Sequence, residues 1–235
     1  MKLEDLDDRL GTALAPTFQR ARPFPWLALD LDEDLAIDRA TEEIAGLHEG
    51  LWRSDEHANS VGKLWIENVP HRALSELFAG FANLRDFLAT LTGIALEPDC
   101  DRQGAGIHRV LPWGYLDMHR DFSTLYFEST KSRWARKVNV LFFLNRRWSP
   151  GDGGETYLTN PSGGEVVRVS PLAGRLLIFR SDASGLHGHP VRTRSARYAL
   201  ATYFYADEPV EETPTIWYPA VSATLRSIFA EGSNG

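Results

Sequence analysis

Beyond Gly104 the hydrophobic pattern changes period, and that change limits what the chain can fold into. Apolar and polar residues alternate in short runs at 106–111, 114–119, 138–144, 155–159, 165–169, 174–179, 185–191 and 197–205. A period of two is the signature of a strand with one buried face. Turn-forming clusters separate the runs, for instance Ser149-Pro150-Gly151-Asp152-Gly153-Gly154 and Asn160-Pro161-Ser162-Gly163-Gly164. Many short strands with regular turn signals predict a mainly β fold, a double-sheet jelly roll.

The chain before Gly104 reads differently. Residues 1–30 mix charge with Pro16, Pro23 and Pro25, and read as an arm ending in an extended piece, Trp26-Leu27-Ala28-Leu29. Ile37, Ala40, Ile44, Leu47 and Leu51 recur at helical steps, as do Leu74, Leu77, Phe78, Phe81, Leu84, Leu88 and Leu91 before Gly93. Residues 53–71 are loop-like, with Trp65-Ile66 a short strand, and 219–230 predict a closing helix before a frayed 231–235. This organisation is a single domain over 1–235: an arm and flanking N-terminal helices (1–100), a jelly-roll core (101–207) and a C-terminal segment (208–235). A chain of 235 residues, 43% hydrophobic, suffices for one such core. A net charge of −7 gives no electrostatic basis for binding nucleic acid or an anionic membrane. The single Cys100 forms no internal disulfide, and the acidic first residues do not resemble a signal peptide. The expectation is a soluble, cytoplasmic protein.

Chemistry enters at Gly114-Tyr115-Leu116-Asp117-Met118-His119-Arg120-Asp121-Phe122. On a strand, residues two apart share a face, so His119 and Asp121 can turn an imidazole and a carboxylate toward one metal ion. Leu186-His187-Gly188-His189 offers two candidates for a third ligand. Two histidines and a carboxylate on one face form the facial triad of non-haem Fe(II) oxygenases, which leaves metal positions open. A lone histidine is more often a surface or satisfied core residue, and His48, His57, His71 and His108 are read that way. Arg197 heads the apolar run Arg197-Tyr198-Ala199-Leu200-Ala201. A guanidinium there demands an anion, either an internal acid or the carboxylate of a ligand.

Taken in order, Gly114 to Phe122, Asn139-Val140-Leu141-Phe142-Phe143-Leu144-Asn145, Gly153-Gly154-Glu155, Ser170-Pro171-Leu172-Ala173-Gly174, His187 and Arg197 resemble the Fe(II)/2-oxoglutarate-dependent dioxygenases, in their prolyl-4-hydroxylase-like branch. The resemblance spans roughly residues 70–206. It implies a double-stranded β-helix, the jelly-roll variant already expected. It implies iron held by His119, Asp121 and a distal histidine, and 2-oxoglutarate held by Arg197. It further implies O2 as oxidant, ascorbate as an accessory reductant, and hydroxylation of a C–H bond with release of succinate and CO2. Family spacing favours His187, ten positions before Arg197, while His189, eight before, remains the alternative. Related halogenases lack the carboxylate found here at Asp121, so its presence favours hydroxylation. Where the family often carries a tyrosine this chain has Phe143, so a hydroxyl bond to the cosubstrate is absent or is supplied from elsewhere. Asn139 shares a face with Leu141 and Phe143 and is the polar residue expected nearest the cosubstrate. Two other readings compete: a non-catalytic jelly-roll binding module, and a cupin-like metal enzyme that does not use 2-oxoglutarate.

The substrate expected is a small molecule, a peptidyl residue or a carrier-bound group. Lys131, Arg133, Arg136, Lys137, Arg146 and Arg147 stand without an acid among them over 131–147. They read either as a solvated loop or as a basic rim steering an acidic substrate. Trp113, Tyr115, Tyr126, Phe127 and Trp134 are candidates for the entrance.

Overall fold

The computed structural model describes residues 1–54, 56–67, 72–99, 105–181 and 185–230. His71, Cys100, Gly104 and the tail 231–235 lie outside the described residues. In chain order the elements are α1 (Asp8–Arg20), β1 (Trp26–Asp30), α2 (Asp34–Ala45), β2 (Arg53–Ser54), β3 (Ser60–Ile66), α3 (Arg72–Ala82), α4 (Arg85–Thr92) and β4 (Glu97–Pro98). There follow β5 (Gly106–Arg120), β6 (Thr124–Phe127), β7 (Ser132–Phe143), β8 (Thr156–Thr159), β9 (Val166–Val169) and β10 (Arg175–Arg180). The chain closes with β11 (Leu186–His189), β12 (Arg197–Ala206), β13 (Ile216–Trp217) and α5 (Pro219–Ala230).

The strands pair in the order β1-β10-β7-β12-β5-β11-β8-β9, with every pairing between them antiparallel. Strand β5 joins the two halves of the jelly roll. Its first part pairs with β12 and its last part with β11. Two separate strands were expected there. The structure has one strand with a kink, where Trp113 takes a φ of 67° and Gly114 leaves no room for a Cβ, which would sit 2.7 Å from the Val61 carbonyl oxygen. The kink turns β5 from one sheet into the other.

Alternation decides what faces the helices and what faces the barrel. Val138, Val140 and Phe142 of β7, Leu176 and Ile178 of β10, and Leu200 and Phe204 of β12 pack with helix residues Ile37, Leu74, Phe81 and Leu88 in one core. Their neighbours Asn139, Leu141, Phe179, Ala199 and Tyr203 line the interior of the barrel instead. The helices therefore buttress one sheet from outside and leave its inner face for chemistry.

The N-terminal residues are not an arm. Asp7 caps α1 by accepting from Leu10 N at 2.9 Å, and the helix runs on through Pro16. An interior proline lacks one backbone donor, a cost that burial against α4 offsets. Phe18 is fully buried there, and a Cβ on Gly11 would meet the Phe87 carbonyl oxygen at 2.9 Å. Helix α2 stops at Gly46, so Leu51 is exposed rather than part of its stripe. The second apolar stripe is divided between α3 and α4, because Leu84 N–H bonds the Phe81 carbonyl three residues back and tightens the turn. All seven stripe residues are nonetheless buried, which is why spacing alone does not reveal the break. Strand β3 is longer than the Trp65-Ile66 expected, and β6 was not expected at all. Helix α5 closes the back of the second sheet as expected, with Leu225 packed on Met118 and Tyr157 and with Met118 N–H donating to Ser222 Oγ at 2.7 Å.

Replacing Phe18 with alanine tests the role of α1. The substitution should lower the unfolding free energy by about 3–5 kcal/mol in urea titrations. A residue on a loose arm would lose less than about 0.5 kcal/mol.

Candidate active site

Strands β5 and β11 carry the ligand set. Their ladder places His187 directly opposite His119, and the two rings sit 4.3 Å apart between centroids. Asp121 follows just after β5. His119 Nε2 lies 3.5 Å from Asp121 Oδ1, and His187 Nε2 lies 3.4 Å from Asp121 Oδ2. One donor atom from each residue falls within 4.8 Å of the others, and among the described residues this is the cluster of metal-ligand type that forms. Ligands around one divalent ion at ~2.1 Å stand roughly 3 Å apart when adjacent, so a small inward shift would bring all three onto one ion and leave its other positions open.

Protonation suits a cation. His119 Nδ1 is 2.9 Å from the Asp117 carbonyl, which can only accept, so the ring proton belongs on Nδ1 and the lone pair on Nε2 faces the cluster. Burial drives the His187 pKa down to about 3 against the pull of Asp121, so its imidazole is a neutral donor. Burial alone would raise the Asp121 pKa, but the Arg136 guanidinium and the two imidazoles outweigh it and hold the carboxyl well below its ordinary range. The site offers two imidazole nitrogens and one anionic oxygen, a donor set that fits Fe(II).

Glycines permit the close approach. A Cβ on Gly188 would lie 2.8 Å from the Asp117 carbonyl oxygen and 2.9 Å from that of Leu116, so only glycine lets β11 lie this near to β5. A Cβ on Gly154 would come within 3.3 Å of Arg197 Cδ, and Gly154 already has a φ of +77°.

Arg197 is buried among neutral partners. Its Nε donates to the Gly154 carbonyl at 2.8 Å and its Nη2 to Thr156 Oγ1 at 2.9 Å. Burial lowers its pKa to about 10. No acid among the described residues pairs with it, so the internal-acid alternative is not met. Arg197, Thr156, His189 and the triad line one inner cavity of about 60 Å³. His189 Nδ1 is a buried atom without a protein hydrogen-bond partner in that cavity. A buried cation beside a hydroxyl makes a polar pocket suited to a carboxylate. Phe143 lies under the guanidinium, 5.0 Å from its carbon to the ring centroid, and Thr156 stands as the available hydroxyl.

Asn139 lies on the inner face as expected. Its amide Nδ2 donates to Asp121 Oδ2 at 2.8 Å, and it also lines the inner cavity. Beyond the triad a wider cleft of about 210 Å³ opens, walled by Trp65, Phe122, Trp217, His57 and His108. These side chains stand in place of Trp113, Tyr115, Tyr126, Phe127 and Trp134, none of which lines either cavity. Trp217 packs on both His119 and His57, with centroids 4.9 Å apart in each pair. His57 and His108, read from sequence as bland, are part of this wall.

The run of six basic residues is not a free rim. Arg133 pairs with Glu212 at 3.2 Å, Arg146 with Asp34 and Asp38, Lys137 with Glu208 and Lys131 with Glu128. Arg147 is exposed, and no acid among the described residues pairs with it. Arg136 is the residue that the sequence reading misplaced most. It is buried inside the site, with Nη2 2.9 Å from Asp121 Oδ2. The register explains this: Tyr205 pairs with Arg136 and Phe204 with Val138, so Lys137 is an extra residue that reverses the strand's inward phase.

Fold and site together define a jelly roll that gathers a cluster of metal-ligand type and a buried guanidinium in one inner cavity. Residues 105–205 match the family model of the 2OG-Fe(II) oxygenase superfamily. Over that stretch the chain carries a domain of the 2OG-Fe(II) oxygenase type, and the enzymes of that superfamily are dioxygenases that use Fe(II), 2-oxoglutarate and O2. Its fold is shared with a prolyl-4-hydroxylase from Pseudomonas putida, at TM-score 0.60 and 22% identity over 82% of this chain and 98% of that one. A prolyl hydroxylase from Trichoplax adhaerens, solved with a hypoxia inducible factor peptide fragment, matches at TM-score 0.63 and 17% identity over 87% of this chain and 92% of that one. HygX from Streptomyces hygroscopicus, solved with nickel, 2-oxoglutarate and hygromycin B, matches at TM-score 0.50 and 13% identity over 77% and 83%. No helix among the described residues is long and apolar enough to cross a membrane.

Gly188→Ala should separate β11 from β5. The expected result is a loss of about 1–3 kcal/mol of stability and at least ~10-fold weaker binding of Co(II), a spectroscopic substitute for iron. Thermal melts and visible titration measure the two effects.

Proposed function

We propose that this oxygenase hydroxylates an unactivated C–H bond of an amino acid, a peptidyl residue or a natural-product intermediate. One oxygen atom of O2 enters the substrate, the other enters succinate, and the 2-oxo acid loses CO2. The observation that supports this most directly is the placement of His119, Asp121 and His187 in one cavity with Arg197, a buried guanidinium with no acid partner among the described residues.

In this reading His119 Nε2, His187 Nε2 and one oxygen of Asp121 hold Fe(II), and Arg197 holds the distal carboxylate of 2-oxoglutarate. Iron loaded with 2-oxoglutarate and O2 supplies an oxidant strong enough to break a C–H bond. The chain's own residues do the remaining work. The Asp117 carbonyl fixes the His119 ring, and Thr156 and Gly154 fix the Arg197 fork. His189 lines the cosubstrate side of the cavity without belonging to the metal cluster. The apolar walls Leu141, Phe179 and Ala199 keep bulk water from the reacting centre.

The substrate enters through the outer cleft. Its 210 Å³ suits a compact molecule or one projecting side chain, held between Trp65, Trp217 and Phe122. Proteins of this fold have been solved with a peptide fragment and with hygromycin B, which brackets the size of ligand the scaffold admits. The neutralised basic run offers no support for an acidic substrate. The single cysteine suits a reducing compartment, and we place the protein in the cytoplasm.

The test is anaerobic addition of Fe(II) and then 2-oxoglutarate, following the visible charge-transfer band. The band should form in the wild type, survive His189→Ala and vanish in His187→Ala. Arg197→Met should weaken 2-oxoglutarate binding by about 30-fold or more, as expected when one partner of a buried charge pair is removed. No band in a folded wild-type protein would favour the non-catalytic binding module.

A further inference from the structure

We propose that Arg136 and Asn139 are positioning residues that restrict Asp121 to a single bond with the metal and so keep a coordination site open for 2-oxoglutarate. This rests on the iron site proposed above.

Both residues act on the same oxygen. Asp121 Oδ2 receives Asn139 Nδ2 at 2.8 Å and Arg136 Nη2 at 2.9 Å. A carboxylate oxygen has two in-plane lone pairs, and two donors occupy both. Both oxygens border the cluster, Oδ1 at 3.5 Å from His119 Nε2 and Oδ2 at 3.4 Å from His187 Nε2, but Oδ2 is the one that carries the two donors. Oδ1 is therefore the oxygen left for the metal.

The brace is itself fixed. Arg136 Nε donates to Asn139 Oδ1 at 2.9 Å, so the amide oxygen must face the guanidinium and the amide nitrogen must face Asp121. The guanidinium lies 3.6 Å from the Tyr203 ring centroid and 4.7 Å from that of Phe122, and its side chain is only 2% exposed. It can neither swing away nor exchange its partners for water.

The consequence concerns coordination number. The facial triad serves 2-oxoglutarate and O2 only while the remaining metal positions stay open. A carboxylate released from its donors can chelate the metal through both oxygens and take one of those positions. Loss of the brace should then spare binding of the bare metal and weaken binding of the cosubstrate.

The experiment measures two constants with Co(II): its own affinity by visible absorption, and the affinity of 2-oxoglutarate for the Co(II)-loaded protein by calorimetry. Asn139→Ala should bind Co(II) within ~3-fold of wild type, or more tightly, while the 2-oxoglutarate Kd rises at least ~10-fold. Arg136→Lys keeps a cationic donor but cannot orient the amide, and should fall between; it reads the same ratio if Asn139→Ala does not fold. X-ray absorption of the Co(II)-loaded Asn139→Ala protein should show an added carboxylate oxygen in the first shell. Two unchanged constants would overturn the proposal. So would a parallel loss of both, which would make Asn139 a packing residue. Failure of wild type to bind Co(II) would instead strike the iron site itself.

Discussion

The pairing of β5 with β11 is the constraint on which the rest depends. Backbone hydrogen bonds fix His187 against His119, and the kink near Trp113 lets β5 reach β11 after leaving β12. The ladder is specific because a slip of one residue would point His187 away from the barrel interior. Gly188 allows the strands to lie this close. The outer helices press on the far face of the other sheet, behind β7, β10 and β12, so that its inner face cannot relax outward.

Two buried arginines show how the interior assigns charge. Arg136 has its acid within reach, and the pair survives burial because every polar atom around Asp121 Oδ2 is engaged. A pair of this kind adds little net stability, since desolvation takes back most of the attraction. What it contributes is orientation. Arg197 has no acid partner among the described residues, and its lowered pKa reflects the burial of a cation among neutral partners. A dicarboxylate cosubstrate would relieve that cost, so the electrostatic imbalance of the resting pocket becomes binding free energy.

The walls of the outer cleft come from distant parts of the chain. His57 and Trp65 belong to the region around β3, His108 to β5, and Trp217 to the short strand that precedes α5. Helix α5 is tied to β5 through Arg226, whose Nη1 is 2.7 Å from Asp117 Oδ1, two residues from His119. The cleft wall and the strand that carries His119 therefore share one support, with Trp217 packed against His119.

Local pattern in the chain determines much of this protein. The period-two runs specify the strands, the helical stripes specify the buttress, and His119, Asp121, His187 and Arg197 are recognisable because their chemistry requires those residue types at those intervals. Asn139 is legible as an inward polar residue by the same alternation. Tertiary structure alone decided the rest. It made α1 a core helix despite Pro16, because burial of Phe18 outweighs a missing backbone donor. It neutralised the basic run with acids as distant in sequence as Asp34 and Glu212. It turned Arg136 inward through one extra residue in β7, a bulge that no period reveals because it is defined only against the partner strand. Periodicity is a property of one segment, whereas register, charge pairing and cavity walls are properties of segments brought together.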